Sequence, residues 1–308
     1  MADLCVTGGC GYVGSVLVPK LLRAGHFVRV IDNLWFGNYL PKHRSLQVIK
    51  GDIRDRSISL SGVDAVIHLA AIANDPAAQL DPVLSWQINA LATSDLAGRA
   101  AAEGVKQFIY ASSGSVYGVS DALEVTEDTP LVPISEYNMT KMVAERAVLS
   151  YAPRMGVVIF RPATVCGFSP RMRLDLMVNS FVVQALQGGV IKFNGGEQYR
   201  PNIHIDDMTD LYMWALLRDG LSGIFNAGFE NMKIKDIAIL VAEKTQAQVV
   251  AQESNDPRSY RLNSDRLLSA GFKPSKTVAN AVTELVNRCG DGSLRDAPEW
   301  HNLSWMPR

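Results

Sequence analysis

Along the first 165 residues, apolar positions gather into short β-branched runs separated by stretches with helical spacing. The runs in "DLCVTG", "HFVRVID", "LQVIKGD", "VDAVIHLAA", "KQFIYASS" and "GVVIFRPA" predict six strands. Between them, Tyr12 to Ala24 reads as a helix ended by Gly25. Asp81 caps and Pro82 opens a second helix, expected to run unbroken through "VLSWQINALATSDLAGRAAAE". "SEYNMTKMVAE" lies in a third. Strands that are apolar throughout and alternate with helices predict a parallel sheet covered on both faces, a doubly wound α/β domain.

After about residue 166 the rhythm loosens. "SPRMRLDLMVNSFVVQALQGG" contains a helix, "VIKF" a short strand, and "RPNIHIDDMTDLYMWALL" a strand capped into a helix by Asp206 or Asp207. "GIFNAG" supplies one more sheet strand, and "KIKDIAILVAEKT" and "TVANAVTELVNRC" read as helices. The expected division is a Rossmann domain of residues 1–165 plus about 203–228. A smaller, interleaved α+β domain takes about 166–202 plus 229–308. The tail "SLRDAPEWHNLSWMPR" has no clear period, so it either packs on the body or dangles.

Composition adds mainly exclusions. The 308 residues are 47% hydrophobic and 20% charged with a net charge of −1, which argues against nucleic acid or an anionic membrane surface as partner. Cys5, Cys10, Cys166 and Cys289 have neither CxxC spacing nor scaffold density, and no metal site is expected. The N-terminus lacks a basic and then apolar leader, and no apolar run reaches the ~18 residues of a membrane span. The expectation is a cytoplasmic, soluble protein.

The chemistry begins at "TGGCGYVGS". Gly8, Gly11 and Gly14 follow a strand and open a helix, where glycine lets backbone N–H groups approach a pyrophosphate at the positive helix end. The same turn makes Tyr12 and Val13 cofactor-binding candidates. Asp32 in "VRVIDN" closes the next strand, the place for an acid that accepts from the adenosine 2′-OH and repels a 2′-phosphate, and Asn33 follows it. NAD is therefore expected over NADP. Asp52 and Ile53 after the third strand could read an adenine edge, and Leu69, Ala70 and Ala71 end the fourth strand with little bulk for a cofactor lying across it.

Ser112 and Ser113 then emerge at the C-terminal edge of strand five, where open parallel sheets bind ligands. Tyr137 and Lys141, four apart, share one face of the next helix. Taken alone the pair fits an ordinary surface contact. Beside a dinucleotide and Ser113, it fits proton transfer. A Tyr acting near neutrality must lose ~3 pKa units, worth ~4 kcal/mol, and an adjacent Lys with a positive nicotinamide could supply most of that.

This arrangement, over about residues 3–288, resembles the extended short-chain dehydrogenase/reductase family, specifically nucleotide-sugar epimerases, dehydratases and reductases. The resemblance implies that Tyr137 takes a sugar hydroxyl proton while hydride passes to the nicotinamide. It implies that Lys141 holds the nicotinamide ribose and that Ser113 bonds the sugar oxygen. Asn89 in "QINALAT" matches an Asn near the cofactor. Asn179 in "DLMVNSF", Arg200 in "QYRPNIHIDD" and Arg258 in "NDPRSY" match substrate-diphosphate contacts. The interleaved second domain would then bind the nucleotide sugar, and a homodimer built on the Tyr-bearing helix is expected.

Departures narrow the reaction. Dehydratases of the family carry an Asp–Glu pair where this chain has Gly114 and Ser115, and fucose-synthase-like epimerases use a Cys where Ser115 stands. Cys166 replaces a common Tyr and reads as pocket lining; His204 reads as a packed residue after a strand. "GFSPRMRLDLMVNSF" resembles a branch that includes bacterial GDP-heptose 4-dehydrogenases, and its Arg171 and Arg173 could touch phosphate or face solvent. What remains is oxidation and reduction at one carbinol carbon, most often C4, with an epimerase as the leading reading. A net 4-dehydrogenase or 4-ketoreductase uses the same residues. A scaffold that senses NAD without chemistry is the reading outside enzymes. The sugar and base would be chosen by loops around Phe168 and Phe193.

Overall fold

The computed structural model describes the chain except residues 121, 123, 255–258 and 307–308. β1 (Asp3–Thr7) leads through a glycine turn into α1 (Gly14–Arg23), followed by β2 (Phe27–Asp32), β3 (Leu46–Lys50) and β4 (Ala65–His68). Next come α2 (Asp75–Leu80), α3 (Pro82–Trp86), a π-helical turn (Gln87–Ala92) and α4 (Thr93–Ala102). β5 (Gln107–Ala111), the short β6 (Glu124–Val125), α5 (Glu136–Leu149) and β7 (Gly156–Pro162) complete the first half. The second half runs β8 (Thr164–Cys166), α6 (Met177–Gly188), β9 (Val190–Asn194), β10 (Tyr199–His204), α7 (Ile205–Leu216) and β11 (Gly223–Ala227). It ends with β12 (Glu230–Lys233), α8 (Ile234–Thr245), β13 (Gln248–Gln252), β14 (Arg261–Leu262), α9 (Asp265–Ser269), α10 (Val278–Gly290) and α11 (Asn302–Trp305).

Seven strands form one parallel sheet in the order β11-β7-β5-β4-β1-β2-β3. Order reverses between β1 and β4, which opens a crevice at their C-terminal ends, where ligands bind in such sheets. Two apolar cores cover the two faces. Leu17, Leu21, Ile109, Phe160 and Leu211 belong to one, and Val66, Leu96, Phe108, Val148 and Ile159 to the other. Alternate residues of β5, Phe108 and Ile109, point to opposite cores, as a strand buried on both sides requires. Each fully buried aliphatic or aromatic chain contributes ~1.5–3 kcal/mol of transfer free energy. A third core around Val178, Val182, Ile237, Val241 and Leu285 joins α6, α8 and α10. Among the described residues, no helix is long and apolar enough to cross a membrane.

Local rules explain most boundaries. Asp81 Oδ1 accepts from Leu84 N at 2.9 Å, and Gly25 adopts φ +85° where α1 ends. Two expectations fail. The Pro82 helix is interrupted by the π-helical turn, which carries Asn89. The side chain that caps α7 is His204, whose Nδ1 accepts from Asp206 N at 3.0 Å. Asp207 instead turns to accept from Ser275 N and Lys276 N, and Asp206 pairs with Lys20.

Candidate active site

The turn after β1 is shaped by contacts that exclude side chains. Gly8 has φ +69°, and a Cβ there would sit 2.6 Å from Ala70 N; a Cβ on Gly14 would sit 2.5 Å from the Gly9 Cα. On Gly11 it would meet only Gly8 O, at 3.2 Å. No side chain caps the start of α1 and no acid lies in its first turn, which leaves the positive end of the helix open to an anion. At the end of β2, Asp32 accepts from Cys10 N (3.0 Å) and Leu34 N (2.8 Å). Burial raises its pKa, against those bonds and the charge of Arg171. These features fit the pyrophosphate and ribose of a dinucleotide.

One cavity of about 460 Å³ runs from this turn to the end of β5. Its wall includes Gly8, Gly11, Tyr12, Val13, Gly14, Asp32, Asn33, Asp52, Ile53 and Leu69 to Ala71, together with Ser113, Tyr137, Lys141 and Arg200. That size suits a small-molecule site. Asp52 is held below the usual carboxylate range by hydrogen bonds from Arg54.

Ser113 caps a short 3₁₀ turn by accepting from Ser115 N. Its Oγ lies 2.7 Å from Ser115 Oγ, which in turn donates to Asn138 Oδ1 at 2.5 Å. Burial pushes Tyr137 up to about 12, opposed by the charge of Arg173 and a hydrogen bond with the Ser113 side chain. Lys141 is 3% exposed and donates Nζ to Ala111 O at 2.8 Å, with Nζ 5.9 Å from the Tyr137 ring centre. Burial brings Lys141 down to about 7. The charge of Arg173 thus favours the ionised phenol from the substrate side, beside the Lys141 ammonium over the Tyr137 ring.

Several expected contacts do not reach the cavity. Asn89, expected at the cofactor, is buried beneath it and bonds both N and O of Ile72, at 2.8 and 3.0 Å. Asn179, expected at the diphosphate, is also buried. It accepts from Gly167 N and donates to Tyr12 Oη and Arg173 O, so it braces the loop that carries Arg173. Cys166, expected to line the pocket, is fully buried with its thiol 3.6 Å from Ile203 O. Phe193 packs on Phe181 away from the cavity, and Phe168 lies under Arg288. Arg258 lies outside the described residues.

Further residues complete the wall. Arg171 and Arg173 both line it, Arg173 paired with Asp175, so neither is a solvated surface group. Trp35 and Phe36 line it from the loop after β2, and two aromatics so soon after Asp32 are the sequence signal that could have found them. Asn74, Asp75 and Asn302 also line it, with no sequence signal for Asn302.

The profile of the NAD dependent epimerase/dehydratase family matches residues 4–228. A UDP-glucose 4-epimerase of Corynebacterium glutamicum is 29% identical over 307 residues, spanning 91% of this chain and 93% of that protein. Two solved structures superpose closely. One is MoeE5 in complex with UDP-glucuronic acid and NAD, with a TM-score of 0.84 at 27% identity over 94% of this chain and 99% of that one. The other is the Thermotoga maritima UDP-glucose 4-epimerase with UDP-glucose, with a TM-score of 0.86 at 25% identity over 95% of this chain and 100% of that one.

Proposed function

The chain belongs to the NAD-dependent epimerase/dehydratase family, and from that premise we propose that it is a 4-epimerase of a nucleotide-diphosphate sugar. The observation that carries the reading is the convergence of Ser113, Tyr137 and Lys141 with the glycine turn and Asp32 on one cavity. Gly114 and Ser115 stand where a dehydratase would need an acid and a base, so the wall holds groups for carbinol oxidation and return.

NAD, when bound, supplies a reversible hydride acceptor. Tyr137 takes the C4 hydroxyl proton as that carbon is oxidised and returns it on reduction. Ser113 holds the same oxygen, and the Ser115–Asn138 pair behind it fixes the Ser113 hydroxyl. Arg173 favours the ionised phenol. Lys141, held near neutrality by burial, gains its proton most easily when negative charge develops on Tyr137. Arg200, across the cavity, is the candidate for the substrate diphosphate, which a guanidinium can grip bidentately. Inversion follows if the 4-keto sugar turns before reduction. Leu91 and Val143, 65% and 39% exposed near α4 and α5, suit the homodimer expected of such a chain.

The test is incubation of the purified protein with UDP-, GDP-, dTDP- and CDP-sugars without added cofactor, with products followed by NMR. A C4 epimer with no net NADH is the expected result. Stoichiometric NADH, or turnover only with an added carbonyl acceptor, would replace the epimerase with a net 4-dehydrogenase.

A further inference from the structure

Three segments far apart in sequence meet on the Asp32 side of the cavity. Trp305 in α11 donates Nε1 to Trp35 O in the loop after β2, at 3.0 Å. Leu174 N, in the loop after β8, donates to Trp300 O at 2.9 Å. Between these ties, Arg171 Nη2 donates to Asn302 Oδ1 at 2.6 Å, and the guanidinium lies 4.0 Å over the Phe36 ring. Arg171 and Asn302 are 2% and 4% exposed, and both line the cavity with Asp32.

The arrangement leaves a buried cation incompletely satisfied. Arg171 Nε has no hydrogen-bond partner among the described residues, although it is fully buried. A buried guanidinium with an unmet N–H and no bonded carboxylate leaves part of its desolvation penalty uncompensated. Stacking on Phe36 recovers only part of that. The segment that supplies Asn302 also lies beyond residues 4–228, the part matched to the family.

We propose that Arg171 and Asn302 bind the adenosine end of NAD(H) and that the C-terminal turn, through them, straps the cofactor in place. This rests on the reading that the cavity takes NAD through Asp32. Asp32 marks the adenosine side by its place at the end of β2. Arg171 places its guanidinium in that wall, Phe36 holds its plane, and Asn302 fixes its Nη2 end. The tie from Trp305 to Trp35 closes the loop after β2 against the same turn. Slow release suits an enzyme that oxidises and reduces with one cofactor molecule.

The test is NADH release from the full-length protein, read by fluorescence after displacement with excess NAD, together with the NAD that copurifies. Asn302→Ala and Arg171→Met are expected to release NADH about tenfold faster or more, as loss of a charge-assisted contact implies. Trp305→Phe keeps the ring, removes only the donor to Trp35 O, and is expected to speed release by a smaller factor. It also serves as the probe if Arg171→Met fails to fold. Release within twofold of wild type in both Asn302→Ala and Trp305→Phe would overturn the strap while leaving the cofactor site intact. A wild-type protein that binds no NADH would overturn the cofactor reading, and the strap with it.

Discussion

Two cations are buried beside the same helix, and the protein treats them in opposite ways. Arg161 on β7 is 3% exposed and donates to both carboxylate oxygens of Glu145, at 2.9 and 2.7 Å, and to Tyr117 Oη at 2.8 Å. Burial opposes its charge, yet the Glu145 bonds and charge lift it above its ordinary value. Lys141 is one turn N-terminal to Glu145 on α5 and equally buried, but it is bonded to a neutral carbonyl, Ala111 O. Burial pulls it down to about 7, with only the more distant Glu145 opposing. A paired cation is locked and holds β7 to α5. A cation left on a carbonyl beside a cavity can respond to charge arriving there, which a proton-transfer site requires.

The sharpest break comes at the cavity. Tyr137→Phe keeps the ring and its packing and removes the group that exchanges the proton. Turnover in the epimerase assay is expected to fall by about 10³-fold or more, the scale of a positioned acid–base group, with the melting temperature nearly unchanged. Turnover within tenfold of wild type would remove Tyr137 from the chemistry.

The next effect belongs to the locked cation. Glu145→Gln leaves Arg161 buried without its carboxylate and should cost about 3–5 kcal/mol of stability, measurable by urea unfolding. It also removes the charge that raises Lys141, so the Lys141 pKa should fall below about 7. If the protonated Lys is the active form, the alkaline limb of the pH–rate profile then moves to lower pH. A pH profile that stays in place while stability drops would separate the two cations completely.

How far this contrast could be read in advance depended on whether contacts were local. The glycine turn, Asp32 at its strand end and Tyr137 four before Lys141 follow spacing rules that act within one turn or one strand. The Asp81–Pro82 helix start was legible for the same reason. Asn89 and Asn179 were placed at ligands because their chain positions matched a pattern. Their amides are consumed by the backbone of Ile72 and Gly167, partners that spacing does not reveal. His204 took the α7 cap because Asp207 had a distant claim on Ser275 and Lys276. The desolvation that sets Lys141 near neutrality likewise depends on the packed site, with Tyr110 as well as Tyr137 around the ammonium.

The mildest expected effect tests whether Lys141 is held at a cost. Its pKa is about 7 in the folded protein against an ordinary 10.5, so between those values the unfolded chain binds more protons and stability rises with pH. The cost of burying the ammonium is therefore present in full below about pH 7 and fades toward pH 10.5. Lys141→Met, close in length, removes the charge and leaves Ala111 O without its donor, a loss of about 1 kcal/mol. Each pKa unit is worth about 1.4 kcal/mol, so the net gain below pH 7 is on the order of a few kcal/mol at most. Thermal melts of Lys141→Met and wild type across pH 6 to 10 should show the variant more stable at the acid end, with the gap closing as pH rises. The same variant should lose epimerase turnover. A Lys141→Met protein that is less stable at every pH would mean that the ammonium is as well accommodated as Arg161, and the contrast between the two cations would not hold.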